Sequence, residues 1–167
     1  WRTVTGGSQT YVRALTAPFV DRIRTATAVS IIVRTGYGVE VRTAASPAPE
    51  VFDRVVLATH SDQALALLSD ADRDEQDIAG AVRYQPNVAT LHTDRTLLPT
   101  RERTWASWNV QVLPGTRRQV SMTYHMNRLQ SLESRHQICV TLNRHDDIDP
   151  SLVHARIDYE HPVFDAD

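Results

Sequence analysis

At 167 residues the chain has room for one or two domains and a sizeable core. Its 41% hydrophobic content is ordinary for a globular protein, and no apolar run approaches the roughly 18 residues needed to span a bilayer. A net charge of −2 argues against nucleic acid as a partner, because a phosphate backbone demands clustered cations. All 18 basic residues are arginine, a composition typical of GC-rich coding sequences. Cys139 is the sole cysteine, so no intrachain disulfide can form. It lies in the β-like run Ile138-Cys139-Val140-Thr141-Leu142, which predicts a buried structural thiol rather than a nucleophile.

In chain order, Ser8 is a candidate N-cap for a helix that places Tyr11, Val12, Leu15, Phe19 and Ile23 on one face. Pro18 falls inside that pattern and predicts a kink or restart. Residues 28–34 and 38–42 read as two strands joined by a hairpin at Gly36-Tyr37-Gly38. Ser46-Pro47-Ala48-Pro49 reads as a loop. Residues 52–59 read as a further strand, and its unbroken apolar run over 55–58 predicts burial on both faces, as in a parallel sheet. Open α/β sheets bind ligands at such carboxyl ends of strands, here Thr59-His60-Ser61-Asp62. Residues 64–68 look helical with Asp62 as the N-cap, and the acidic stretch 70–76 caps a second helix running through Ala79-Gly80-Ala81-Val82.

After Tyr84 the pattern changes. Residues 88–92, 106–112, 119–127 and 137–143 read as successive strands with short connections, one of them the turn Pro114-Gly115-Thr116. Such an order predicts an antiparallel sheet. A boundary is expected near Ser69, and the fold class is α+β. Neither internal repeats nor low-complexity segments occur.

Several motifs are absent. No G-x-G-x-x-G occurs, and Gly36-Tyr37-Gly38 cannot replace it because it sits between two strands. Gly6-Gly7-Ser8 lacks the G-x-S-x-G elbow of serine hydrolases. The seven histidines form no H-E-x-x-H and no Cys/His cluster, so no metal is expected. His145-Asp146-Asp147 reads as a solvated turn.

Taken together, Val29 with Ile32, then Gly38-Val39-Glu40-Val41, then Asp53-Arg54-Val55-Val56-Leu57-Ala58-Thr59 resemble the central flavin-binding segment of the flavin-containing amine oxidase superfamily. Gly6-Gly7-Ser8 with Leu15, Phe19 and Ile23 is similar to the glycine pair and helix preceding that segment. Downstream, Leu91-His92-Thr93-Asp94, Trp105-Ala106-Ser107-Trp108-Asn109, the run from Thr123 through Met126-Asn127-Arg128-Leu129-Gln130, and Tyr159-Glu160-His161-Pro162-Val163-Phe164 resemble a bacterial subgroup of NAD/FAD-binding proteins.

The resemblance implies FAD as cofactor, in an enzyme that oxidises a C–N or C–C bond of a small or lipid-like substrate. It implies a partial FAD-binding domain over residues 1–68 and a partial antiparallel substrate domain over 69–167. It places the backbone of Val29 at the adenine end of the flavin, and the small residues Ala58 and Thr59 where the backbone approaches the dinucleotide. His60 departs from the proline common in relatives, and with Ser61 and Asp62 could bring polar groups to the cofactor. A lysine near flavin N5, frequent in the family, cannot come from this lysine-free chain. Trp105, Trp108, Tyr124, His125 and Asn127 are the substrate-side candidates, as aromatics that wall a pocket and polar groups that orient a ligand; ordinary sheet packing accounts for them equally well. Trp105 and Trp108 are expected on opposite faces of one strand.

With no phosphate fingerprint and no glycine-rich closing segment, the chain reads as an internal piece of a longer cytoplasmic flavoprotein. By itself it is expected to be inactive and to bind FAD poorly or not at all. A non-catalytic module that folds or dimerises without flavin is the alternative.

Overall fold

The computed structural model describes residues 2–112 and 120–164. Pro114-Gly115-Thr116 lies outside them. In chain order the first elements are helix α1 (Ser8–Thr16), strands β1 (Val29–Thr35), β2 (Gly38–Thr43) and β3 (Ser46–Phe52), and helices α2 (Ser61–Leu67) and α3 (Arg73–Gly80). Then follow β4 (Arg83–His92), β5 (Trp108–Val112), β6 (Val120–His125), helix α4 (Met126–Gln130), β7 (Cys139–Leu142) and β8 (Val153–Val163). The chain is α+β. It divides into one unit made of the residues up to Pro18 together with Pro86–His161, and another made of Phe19–Gln85 with the residues from Pro162 on.

The division therefore falls at Pro18 and Gln85, not near Ser69. The physical reason is that the residues around Ser69 are tied to β1. Ser69 donates from its N–H to the Ile32 carbonyl at 3.1 Å, and Leu68 forms a parallel bridge with Ile32. Arg34 holds the next turn: Nε meets Asp70 at 3.0 Å, and its two terminal nitrogens meet the Glu75 carboxylate at 2.7 and 2.8 Å. These bonds from Arg34 hold the Glu75 carboxyl down at about 2, well below the usual carboxylate range.

Within Phe19–Gln85, β1, β2 and β3 form a three-stranded antiparallel sheet in that order. The β1–β2 hairpin turns at Gly36 and Tyr37, as the glycines predicted. Gly38 sits at φ +150°, and a Cβ there would lie 2.7 Å from the Phe52 carbonyl oxygen, so only glycine fits. The expected loop at 46–49 is strand instead. Thr43 pairs with Ser46 and Val41 with Glu50, so residues 47–49 oppose Arg42 alone in an irregularity of an edge strand. Proline is tolerated there because no ladder N–H is required of it.

The apolar run 55–58 is not a strand. It leaves β3 at a bend, and among the described residues no strand lies beside it. With no covering layer its side chains alternate: Val55 and Leu57 are half-buried, while Val56 is 89% exposed. α2 is capped by the His60 carbonyl, which accepts from Ala64 N–H at 2.8 Å, so Asp62 lies in the first turn and is not the cap. α3 has a full capping box: Asp72 accepts from Glu75 N–H at 2.8 Å and Glu75 from Asp72 N–H at 2.9 Å. It stops at Gly80, short of Val82.

In the other unit, β5-β6-β7-β4-β8 form a five-stranded sheet, with antiparallel pairing throughout β5, β6, β7 and β4. Register places His125, Cys139 and His92 in one row, and Thr123, Thr141 and Thr90 in the next. This face is buried, yet all but one of those six residues are His or Thr. Cys139 is fully buried as expected, and burial pushes its thiol up to about 11. α1 starts after Gly7, which is the N-cap at φ +82°; Ser8 lies inside the helix and makes no capping bond. Beyond Thr16 a 3-10 turn over Ala17–Arg22 breaks at Phe19, the interruption that Pro18 predicts. β8 has no counterpart among the expected strands. It is largely exposed, although Val153, Ala155, Ile157 and Tyr159 alternate with His154, Arg156, Asp158 and Glu160, a period-two pattern the sequence does carry.

Candidate functional site

Two clefts gather residues singled out from the sequence, one in each unit. In Phe19–Gln85, Val29, Ala58 and Thr59 line one cleft of about 330 Å³. Ile32, Val41 and Leu67 supply its apolar floor. At its rim β1 carries an irregularity, where Val29 pairs with Thr43 and Ile31 with Arg42, leaving Ser30 as the extra residue. The main chain of residues 55–58 forms no hydrogen bond with other described residues, and Ala58 and Thr59 are exposed beside it. Free peptide groups next to small side chains can meet a planar heterocycle edge-on. His60 packs within the protein instead of facing the cleft. Its ring stacks on Tyr84 at 4.4 Å, and the Tyr84 hydroxyl accepts from Ser61 N–H at 2.9 Å.

In the other unit, a larger cleft, about 570 Å³, lies where the start of β5 meets α4. Ala106, Ser107 and Trp108 form one wall, and Arg128, Leu129 and Ser131 the other. Arg2 and Thr3 complete the rim. Local bonds set these walls. The Asn109 amide brackets Ala106, donating to its carbonyl at 2.8 Å and accepting from its N–H at 3.0 Å. Thr3 Oγ1 donates to the Leu129 carbonyl at 2.7 Å. Ser131 closes α4 in the left-handed conformation, φ 52°.

The five substrate-side candidates separate. Trp108 lines the larger cleft, 41% exposed, with its ring edge-on to Tyr124 at 6.1 Å. Trp105 lies outside β5. Its Nε1 donates to the Pro99 carbonyl at 2.7 Å, and its ring meets His125 at 5.2 Å. Because Tyr124 and His125 are neighbours in β6, the two tryptophans still lie against opposite faces of the sheet. His125 is buried, with Nε2 bonded to Gln137 at 2.7 Å. Asn127 is a clamp: it accepts from Ile138 N–H at 2.8 Å and donates to the His136 carbonyl at 2.9 Å, which fixes the turn after α4.

His145-Asp146-Asp147 is a turn with its two acids exposed, as expected, while the His145 side chain is half-buried. Its Nδ1 is buried and unpartnered, while its Nε2 lies 3.6 Å from the exposed Asp146 carboxylate. Sequence reasoning missed Arg2 and Arg128 as cleft residues. Their spacing of over a hundred positions carries no signal, and the Thr3–Leu129 bond is one of the contacts that bring the segments together.

Among the described residues no three His, Cys, Asp or Glu side chains are placed to hold a metal, and no helix is long and apolar enough to cross a membrane. No family model and no curated protein matches the chain. Among solved structures it is similar to a CLA-producing fatty acid isomerase from P. acnes, with a TM-score of 0.53 and 21% identity. The match covers 86% of this chain and 32% of the isomerase, so the chain spans about a third of that protein's length. The likeness is one of fold.

Proposed function

We propose that the chain forms part of an FAD-dependent enzyme that acts on a C–C or C–N bond of a lipid-like substrate. The observation that carries this reading is that Val29, Ala58 and Thr59, far apart in sequence and each assigned by the resemblance to dinucleotide contact, line one cleft. The donor set there fits part of such a cofactor. Ala58 and Thr59 leave room for close approach, unpaired peptide groups can bond a ring edge, and Val41 and Leu67 can cover a face. At about 330 Å³ this cleft holds one ring system, not a whole dinucleotide. Bound flavin supplies the hydride acceptor, and the protein supplies orientation and exclusion of water. The fatty acid named for the structurally similar isomerase supports the lipid-like class of substrate.

The test uses the full-length gene product. It should be yellow, with absorbance near roughly 370 and 450 nm from general flavin chemistry. Thr59→Phe should overpack the cleft at about 1–3 kcal/mol, lowering FAD affinity about 5- to 150-fold in a variant whose circular dichroism is unchanged. Equal FAD affinity in the two proteins would remove Thr59 and the segment before it from the cofactor site, and a colourless protein that takes up no FAD would overturn the reading.

A further inference from the structure

We infer that the Trp108 cleft binds the carboxylate end of an aliphatic chain, with Arg2 and Arg128 meeting the carboxylate and Trp108 and Leu129 covering the first methylenes. The volume, about 570 Å³, falls in the range of small-molecule sites. Its charged lining is of one sign. Arg2 and Arg128 have no acidic neighbour in the cleft, and neither pairs with a carboxylate among the described residues. Other arginines do pair: Arg24 with Glu50 at 2.6 Å, Arg34 with Asp70 and Glu75, and Arg144 with Asp147 at 2.8 Å. Two uncommitted guanidiniums beside an indole and a leucine make an amphiphilic surface, and the planar donor fork of arginine matches a carboxylate. The chemistry is therefore that of an anion with an apolar tail, not of a bare anion or an alcohol.

The site is also preorganised. The Thr3–Leu129 bond, the Asn109 bracket on Ala106 and the clamp from Asn127 of α4 to residues 136 and 138 all exist within the protein, so a ligand need not order the walls. The inference takes its substrate class from the proposed function. Its test involves no flavin, so the failure of either leaves the other standing.

Equilibrium dialysis of the full-length protein against decanoate, with decanol and inorganic phosphate as separate competitors, decides it. Decanoate should bind, and raising the salt concentration should weaken it. Decanol and phosphate should each compete poorly. Arg128→Ala and Arg2→Ala should each weaken binding about fivefold, the scale of an exposed charge pair. Arg2 precedes α1 and lies in no helix or strand, so its variant keeps the test open if α4 proves sensitive. Absence of decanoate binding, decanol competing as well as decanoate itself, phosphate competing equally, or unchanged affinity in both variants would each overturn the inference.

Discussion

Ile32→Ala should destabilise the Phe19–Gln85 unit by about 2–4 kcal/mol. Ile32 is 3% exposed and is the only apolar side chain fully buried in that unit among the described residues. It pairs with Val41 across β1–β2 and forms the parallel bridge with Leu68, so it stands where the sheet meets the end of α2. Truncation removes three carbons from the contact that joins these elements. The loss combines transfer and cavity terms, reduced to the extent that the adjoining cleft lets neighbours relax. Domains of this size are stable by about 5–15 kcal/mol, so the change is a large share of the whole. Urea unfolding followed by circular dichroism measures it. A loss below about 1 kcal/mol would show that the Arg34 network, not apolar burial, joins β1 to the helices.

The second large effect concerns the buried polar face of the five-stranded sheet. Thr141 is fully buried, and its hydroxyl links His92 Nε2 at 2.8 Å to Thr123 Oγ1 at 2.9 Å. Thr141→Val preserves the shape but strands two buried polar groups at once. With about 1–3 kcal/mol for each unsatisfied partner, the expected cost is about 2–5 kcal/mol. The same row makes stability depend on pH. Burial lowers the His92 pKa from its ordinary 6.5, with Asp94 opposing the shift. The unfolded chain then binds the proton more readily than the folded one. Stability is therefore full above about pH 6.5 and falls as the solution is acidified below it. Denaturation midpoints measured between pH 8 and 5 should decline through that window, and a His92→Gln variant should decline less. A flat profile in the parent protein would show that the row accommodates a charged imidazole.

Much of the fold was legible from local signals. The hairpin at Gly36-Tyr37-Gly38, the Asp72/Glu75 capping box and the alternation around Cys139 act over a few residues, so each could be read before any partner was known. The prolines at 47 and 49 misled because proline argues against a strand only when the ladder needs its N–H, and an irregular edge does not. The apolar run 55–58 misled for the complementary reason. Hydrophobicity says that a segment can be covered, whereas strand formation needs a neighbour to pair with, and among the described residues none lies beside it.

The same distinction holds for the clefts. Val29, Ala58 and Thr59 were identifiable as a set because they belong to one recurring segment pattern. Their convergence on a single cleft depends on the irregularity in β1 and the course of the chain after β3. Sequence by itself determined the β1–β2 hairpin, the helix after the acidic stretch 70–76, the antiparallel second half and the buried Cys139. Tertiary structure alone decided that Trp105 lies outside β5 against His125, that Asn127 is a clamp, and that Arg2 and Arg128 line one cleft. Those outcomes rest on hydrogen bonds between residues remote in the chain, such as Thr3 to Leu129, and a pairing of that kind leaves no periodicity in the sequence to be read.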